Sequence, residues 1–313
     1  MPSYILRRCF ATLPVILVVA IFVFSLLYIA PGDPALIIAG DQATPEVVER
    51  VRQSLGLDRP FFVRFFEWGL NILQGDLGRS ALSGKPVTEL IAQRLEPTLS
   101  LMALTLVLSV GIAVPLGVAA AWARGSLFDR FAMIFCVAGF SLPLFVTGYL
   151  LAYIIGLKLG WLPVQGYTPL EKGVVPWLRS LILPASALAV VYVALITRIA
   201  RASMLEVMSR DYIRTAKAKG LKLPAILFIH ALKNAAVPIV TVVGTGVALL
   251  IGGSVVAESV FALPGLGRLT IDAIQSRDYP VIQGVVLLFS ISYVLLNLIV
   301  DILYTVFDPR ISY

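Results

Sequence analysis

The sequence predicts an all-α polytopic membrane protein with six transmembrane helices, and three observations predict it. Of its 313 residues 59% are hydrophobic and only 14% are charged, whereas soluble domains carry about 25% charged residues. The charges leave six uncharged runs: Cys9 to Gly32, Pro97 to Ala123, Phe131 to Leu157, Ser180 to Thr197, Asn234 to Ala257 and Tyr279 to Val300. Lys and Arg gather in the connections that follow every second run. A helix rising about 1.5 Å per residue needs about 20 residues to cross a hydrocarbon layer of about 30 Å. Lipid offers the backbone no hydrogen-bond partners, so such runs must be helical.

Taken in order, residues 1–8 carry Arg7 and Arg8 and read as a cytoplasmic N-terminus. The run after them resembles the apolar core of a signal peptide but is longer, and it reads as a retained first transmembrane helix over 9–30. Arg124 and Arg130 flank the turn between the second and third spans. Between the fourth and fifth lie Arg198, Arg201, Arg210, Arg214, Lys217, Lys219, Lys222 and Lys233, against Glu206 and Asp211 alone. These three places fall on one side, which the positive-inside rule makes cytoplasmic. An even span number puts both termini there. Trp161, Tyr167 and Trp177 read as interfacial aromatics on the other face.

Residues 31–96 form an extracytoplasmic subdomain. Thr44-Pro45-Glu46 is a helix start, Val47, Val48, Val51 and Leu55 make an apolar stripe, and Gly56 is a stop. Phe61, Phe62, Phe65, Phe66 and Trp68 predict a helix against the spans or in the interface. A further short helix is expected over Val87 to Leu95. Residues 97–313 then make a five-helix core. Pro115, Gly117, Gly139, Pro143, Pro184, Gly244, Gly246, Gly252 and Gly253 fall inside its spans. Small residues permit close helix contact and prolines permit kinks, as in any packed bundle or in a pore that moves.

Composition also excludes. The +7 net charge belongs to cytoplasmic loops and does not form a basic nucleic-acid-binding domain. Cys9 and Cys136 lie in apolar runs without a CxxC spacing, so no disulfide or zinc pattern is present. The single histidine, His230, has no metal-ligating or catalytic partners in sequence, and packing is its expected use. Catalytic and metal-binding residues are therefore expected to be none. Glu258 and Asp301 fall toward the ends of their spans, not at mid-membrane where ion-coupled carriers place ionisable groups. No Walker A motif occurs; Ser83-Gly84-Lys85-Pro86 lacks the leading glycine.

The remaining signal is the stretch from Asp211 to Asn234. Arg214, Lys217 and Leu221 would share a face in a helix, Ala216 and Ala218 keep it thin, Gly220 can end it in a left-handed cap, and Pro224 can open a second helix through His230. This stretch resembles the EAA loop of ABC-importer permeases: EAA, three residues, Gly, nine residues, Ile-x-Leu-Pro. Aligned on Gly220, the EAA positions are Arg214, Thr215 and Ala216, and the later ones His230, Ala231, Leu232 and Lys233; Ala216, Gly220 and Leu232 match. RTAKAKGL followed by HALKNAAVPIVT is much more similar to the dipeptide/oligopeptide/nickel branch. Pro31-Gly32-Asp33-Pro34, Gly75-Asp76-Leu77-Gly78, Leu263-Pro264-Gly265-Leu266-Gly267, Arg277-Asp278-Tyr279-Pro280 and Asp308-Pro309-Arg310 resemble signatures of that branch in order and spacing.

The resemblance implies a type I ABC-importer permease fold with an EAA-type coupling loop at 205–235. Asp211, Arg214, Thr215, Ala216, Lys217, Ala218, Lys219, Gly220, Leu221, His230 and Asn234 would dock a cytoplasmic ATPase. It implies a transport subunit, not an enzyme, with no cofactor of its own and with ATP and Mg on two partner ATPases. The other implied partners are a second homologous permease, an extracytoplasmic solute-binding protein and membrane lipid, with no nucleic acid. The implied location is a bacterial or archaeal plasma (inner) membrane. Peptides are the implied cargo, with nickel chelates and glutathione as alternatives within the family. A stand-alone channel or secondary carrier, or a membrane-embedded enzyme, are the readings outside it.

Overall fold

The computed structural model describes residues 2–29, 33–39, 43–54 and 56–307. Pro31, Gly32, Leu55 and Asp308-Pro309-Arg310 lie outside the described residues, as do the side chains of Arg7, Arg8, Cys9, Val51 and Asp301. The described chain is helical throughout: α1 (Pro2–Ile29), α2 (Pro34–Ala39), α3 (Pro45–Ser54), α4 (Phe61–Leu73), α5 (Val87–Trp122), α6 (Leu127–Ser141), α7 (Leu144–Leu151), a π segment (Ala152–Lys158), a short 3-10 turn (Leu170–Lys172), α8 (Val174–Met208), α9 (Asp211–Ala218), a second π turn (Ala225–Ala231), α10 (Leu232–Val260), α11 (Leu266–Gln275) and α12 (Tyr279–Phe307).

Five of these elements are long and apolar enough to cross a membrane, and a sixth span exists if the bent pair Leu127–Ser141 and Leu144–Lys158 counts as one. That pair turns through 106°. The cause is local. Pro143 forces the residue before it out of the helical region, and Leu142 accordingly has ψ 125°. The span expected over Phe131 to Leu157 is thus a broken helix, with its break at the proline that the sequence marked as a breaker. Pro97 acts differently: it lies inside α5, which runs unbroken from Val87. The short helix expected over Val87 to Leu95 is therefore the start of that 36-residue helix. Losing one backbone bond does not end a helix whose neighbours supply alternatives.

The chain divides into two compact units, one of Met1–Ile5, Pro97–Gly267 and Leu295–Tyr313, the other of Leu6–Glu96 and Arg268–Val294. The second unit is held by rings. Phe24 of α1 lies 5.2 Å from Phe61, 5.6 Å from Phe65 and 5.3 Å from Trp68, centroid to centroid. The Arg64 guanidinium lies over Phe24 and Tyr28. Phe62 and Phe66 face outward on the same helix, so the aromatic density serves both a packed and an exposed face. Gln283 of α12 donates its amide to the carbonyls of Val23 and Phe24. Asp278 accepts from the Ser80 hydroxyl at 2.5 Å and the Ala81 N–H at 3.1 Å. The stop expected at Gly56 is present, with φ +63°.

The first unit is built around α8. Of the apolar stretch of α8, 72% is buried, against 33% for α5 and 28% for the helix that includes α10. Its neighbours come close because they lack side chains at the contact: Gly117 of α5 lies against Ala200 and Thr197, Gly139 of α6 against Val190, Gly253 of α10 against Leu188. Pro184 is buried inside α8 without ending it. A methyl group at Gly117 would lie 2.7 Å from the Ala200 Cβ and 2.9 Å from the Thr197 carbonyl oxygen, while at Gly252 it would meet nothing within 4 Å. Overpacking of this kind costs about 1–3 kcal/mol, whereas Gly to Ala in an uncrowded helix gains about 0.5–1 kcal/mol. Thermal unfolding of the detergent-solubilised protein should show Gly117→Ala falling below wild type and Gly252→Ala equal to or above it; the reverse order would refute the close contact.

Candidate functional site

The basic stretch forms a short helix, α9, at the end of α8. Ser209 stops α8 and its hydroxyl donates to the Glu206 carbonyl at 2.6 Å. Arg210 turns the chain with an extended backbone (ψ 149°) and Asp211 opens α9, an acid where the helix dipole favours one. The helix ends as expected at Gly220, whose φ is +74°. The Leu221 N–H then reaches back to the Ala216 carbonyl at 3.3 Å and the Gly220 N–H to that of Lys217 at 2.9 Å, the double bond of a left-handed cap.

Two faces result. Ile213 is wholly buried and Ala216 nearly so. They enter a core with Val118 and Ala121 of α5, Met204 of α8, and Ala231 and Ala235 at the base of α10. Asp211, Arg214, Thr215, Lys217, Ala218, Lys219 and Gly220 are exposed. The Arg214–Asp211 pair, at 3.5 Å with both side chains in water, contributes little to stability. Leu221 does not join Arg214 and Lys217 on one face. It lies beyond the glycine cap and packs against the Ile213 core; the reversal of backbone direction at Gly220 breaks the helical spacing that placed it with the lysine. His230 is half-buried in the second π turn, and its carbonyl accepts from the Asn234 side chain at 2.6 Å. Asn234 shares a groove of about 480 Å³ with Ser203, Glu206, Val207, Arg210, Tyr212 and Pro238.

Sequence reading missed three components. Ile213 was legible: with Ala216 it makes an i, i+3 apolar pair in a polar octet. Tyr212 lines the groove and carried no signal. The third is a bidentate ion pair. Arg201 of α8 donates through Nε to Asp129 at 2.5 Å and through a terminal nitrogen at 2.7 Å. Asp129 is almost fully buried at the start of α6 and also accepts from the Gly125 N–H at 2.9 Å. The pair clamps the α5–α6 turn onto the last third of α8. No cluster of three or more metal-ligating side chains occurs among the described residues.

Comparison with known proteins fits this architecture. Residues 113–313 match the family described as "Binding-protein-dependent transport system inner membrane component", and residues 1–102 its N-terminal companion. The chain belongs to this family of ABC-importer permeases. A probable peptide ABC transporter permease of Sinorhizobium fredii is 53% identical over 100% of both chains. A glutathione transport system permease of Salmonella typhimurium is 43% identical, again over 100% of both. Among solved structures, the inward-facing MetNI methionine ABC transporter superposes with TM-score 0.57 at 19% identity, over 70% of this chain and 96% of that one. An amino acid ABC transporter gives 0.51 at 18% identity, over 69% and 94%. The fold is thus that of a type I ABC importer, all-α and multi-pass.

In this permease the Arg201 fork is geometric as well as electrostatic. A lysine keeps the charge but offers a single point donor in place of two parallel bonds. Removing a partner from a buried pair costs about 3–5 kcal/mol, and partial exposure of Arg201 (23%) lowers the expectation to about 2–3 kcal/mol. Arg201→Lys should lower the melting temperature less than Arg201→Met, and Asp129→Asn should match the latter. Equal stability of all three variants and wild type would show that the clamp contributes nothing.

Proposed function

We propose that this chain is a pore-forming permease subunit of an ATP-driven importer of peptides, and that α9 is its coupling helix. The observation that carries the reading is the two-faced build of α9. Its inner face, Ile213 and Ala216, is set into a core shared by α5, α8 and α10. Its outer face presents basic and small side chains that a groove on another protein can take. A push on that outer face is delivered to three membrane helices at once. ATP and Mg then belong to two separate ATPase subunits, a reading supported by membership of the ABC-importer permease family.

The family match supports the rest of the assembly in this reading. A second homologous permease completes the pore, and a solute-binding protein delivers cargo to the subdomain over 31–96 and to the segment from Glu258 to Pro280. Residues 97–313 are the permease core, in lipid contact, and 1–8 with the C-terminus face the cytoplasm from a plasma (inner) membrane. Peptide cargo rests on the relatives: one is named for peptides and another for glutathione, itself a tripeptide.

The outer face gives the test. Ala216 is buried, so charge placed there would damage the fold as well as docking. Arg214→Glu with Lys217→Glu changes only exposed side chains. In proteoliposomes with the ATPases and binding protein, that double variant should lose both uptake and peptide-stimulated ATP hydrolysis by about tenfold or more, as truncation of charged interface contacts does, with an unchanged melting temperature. Unchanged stimulated hydrolysis would refute docking by α9. Uptake by the chain alone would favour a stand-alone carrier.

A further inference from the structure

The connection from α9 to the membrane is not a plain helix. Residues Ala225–Ala231 form a π turn immediately before α10. A π turn holds one residue more than an α turn and is found where a helix must yield or be re-aimed. At its end the carbonyl of His230 is taken by the Asn234 side-chain amide at 2.6 Å. One turn further on, Pro238 lies inside α10 and has no N–H to offer the carbonyl of Asn234. Two successive turns therefore depart from the regular α-helical pattern, and Asn234 stands between them, with its side chain bonded to the last carbonyl but one of the first.

The surroundings match a part that moves. Ile226, Leu227 and Ala231 of the turn are buried in the same core as Ile213 and Ala216, so the turn travels with α9. On the other side Asn234, Ala235 and Pro238 border the groove of about 480 Å³ whose far wall is Ser203, Glu206 and Val207 of α8. The base of α10 has room to close toward α8. α8 runs from Val174 to Met208 without a π insertion, and its own interior proline, Pro184, is buried among its neighbours.

We infer that the π turn, Asn234 and Pro238 form the joint that converts displacement of α9 into movement of α10, with Asn234 as its positioning residue. This rests on the coupling reading of α9. Asn234→Leu removes the donor. Asn234→Thr restores one, because threonine hydroxyls in this same helix donate four residues back, as Thr241 does to Val237. Pro238→Ala returns the missing N–H and stiffens the joint.

The assay uses the complete importer in proteoliposomes, with uptake and ATP hydrolysis measured together. Pro238→Ala should raise the melting temperature yet slow uptake by about fivefold or more, within the range of coupling between sites. A packing residue would give no such opposition. Asn234→Leu should reduce the peptide taken up per ATP hydrolysed, and Asn234→Thr should restore it, with ATPases retained on purification in all three variants. Spin labels on Lys219 and at the far end of α10, on Ser259, should change separation on ATP binding in wild type and not in Pro238→Ala. Full uptake by both Pro238→Ala and Asn234→Leu with ATPases bound overturns the joint while leaving α9 docking intact. Loss of the ATPases from Asn234→Leu overturns it too, since the residue then serves docking. A wild-type chain that retains no ATPase removes the coupling reading and the joint with it.

Discussion

The first unit depends on how closely its helices approach α8. Lipid tails are as apolar as leucine, so no hydrophobic force drives one membrane helix against another. Attraction must come from dispersion, which needs atoms in contact. Glycines on α5, α6 and α10 provide that contact, against Ala200, against Val190 and Ala194, and against Leu188 of α8. Because α8 is covered, it can carry polar groups that a lipid-facing helix could not. Thr197 donates to the Ala113 carbonyl, and Arg201 holds Asp129.

Buried acids occur at both ends of this unit, each held by a hydrogen-bond donor on another helix. Asp129 is at the start of α6. At the far end of α10, Glu258 is wholly buried and accepts from the Thr98 hydroxyl at 2.6 Å. The same hydroxyl accepts the Leu266 N–H at 2.8 Å, so one oxygen ties α5, α10 and the start of α11. The carboxyl group needs space, and the sequence around it leaves space: a Cβ at Gly265 would fall 2.2 Å from it. The two glycines of Leu263-Pro264-Gly265-Leu266-Gly267 thus make room for a buried carboxyl group and for Val255 behind it. An acid beside the first N–H groups of α11 also suits the dipole of that helix.

Much of this was legible in the sequence, and the exceptions have physical causes. Uncharged length alone marks a span, because backbone chemistry in lipid permits nothing else. Pro143 was readable as a breaker, but a bend of 106° also needs a surface to bend onto, here Val260 and Phe261 against Gly148. Pro97 and Pro143 are the same residue type with opposite outcomes, which local sequence cannot separate. The cap at Gly220 was legible because only glycine takes a positive φ without strain. The inward turn of Leu221 was not, since spacing rules hold only within the helix. Asp129 and Arg201 are 72 residues apart and carry no mutual signal. The π turn at Ala225–Ala231 likewise carries no signal in its local sequence.

Stiffness is therefore unevenly distributed around α9. Ile213 and Ala216 connect it to α5, α8 and α10 through one core, so a force on α9 reaches all three. Displacement follows compliance, not force. α8 is wedged by glycine contacts along its length and clamped by Asp129 in its last third. α10 meets the same core through a π turn and a proline, beside a groove with room to close. The base of α10 borders that groove, and its far end is fastened by Glu258 to Thr98. In the joint proposed above, fastening at one end and room to close at the other would turn a displacement at α9 into a tilt of α10 about its Glu258 end.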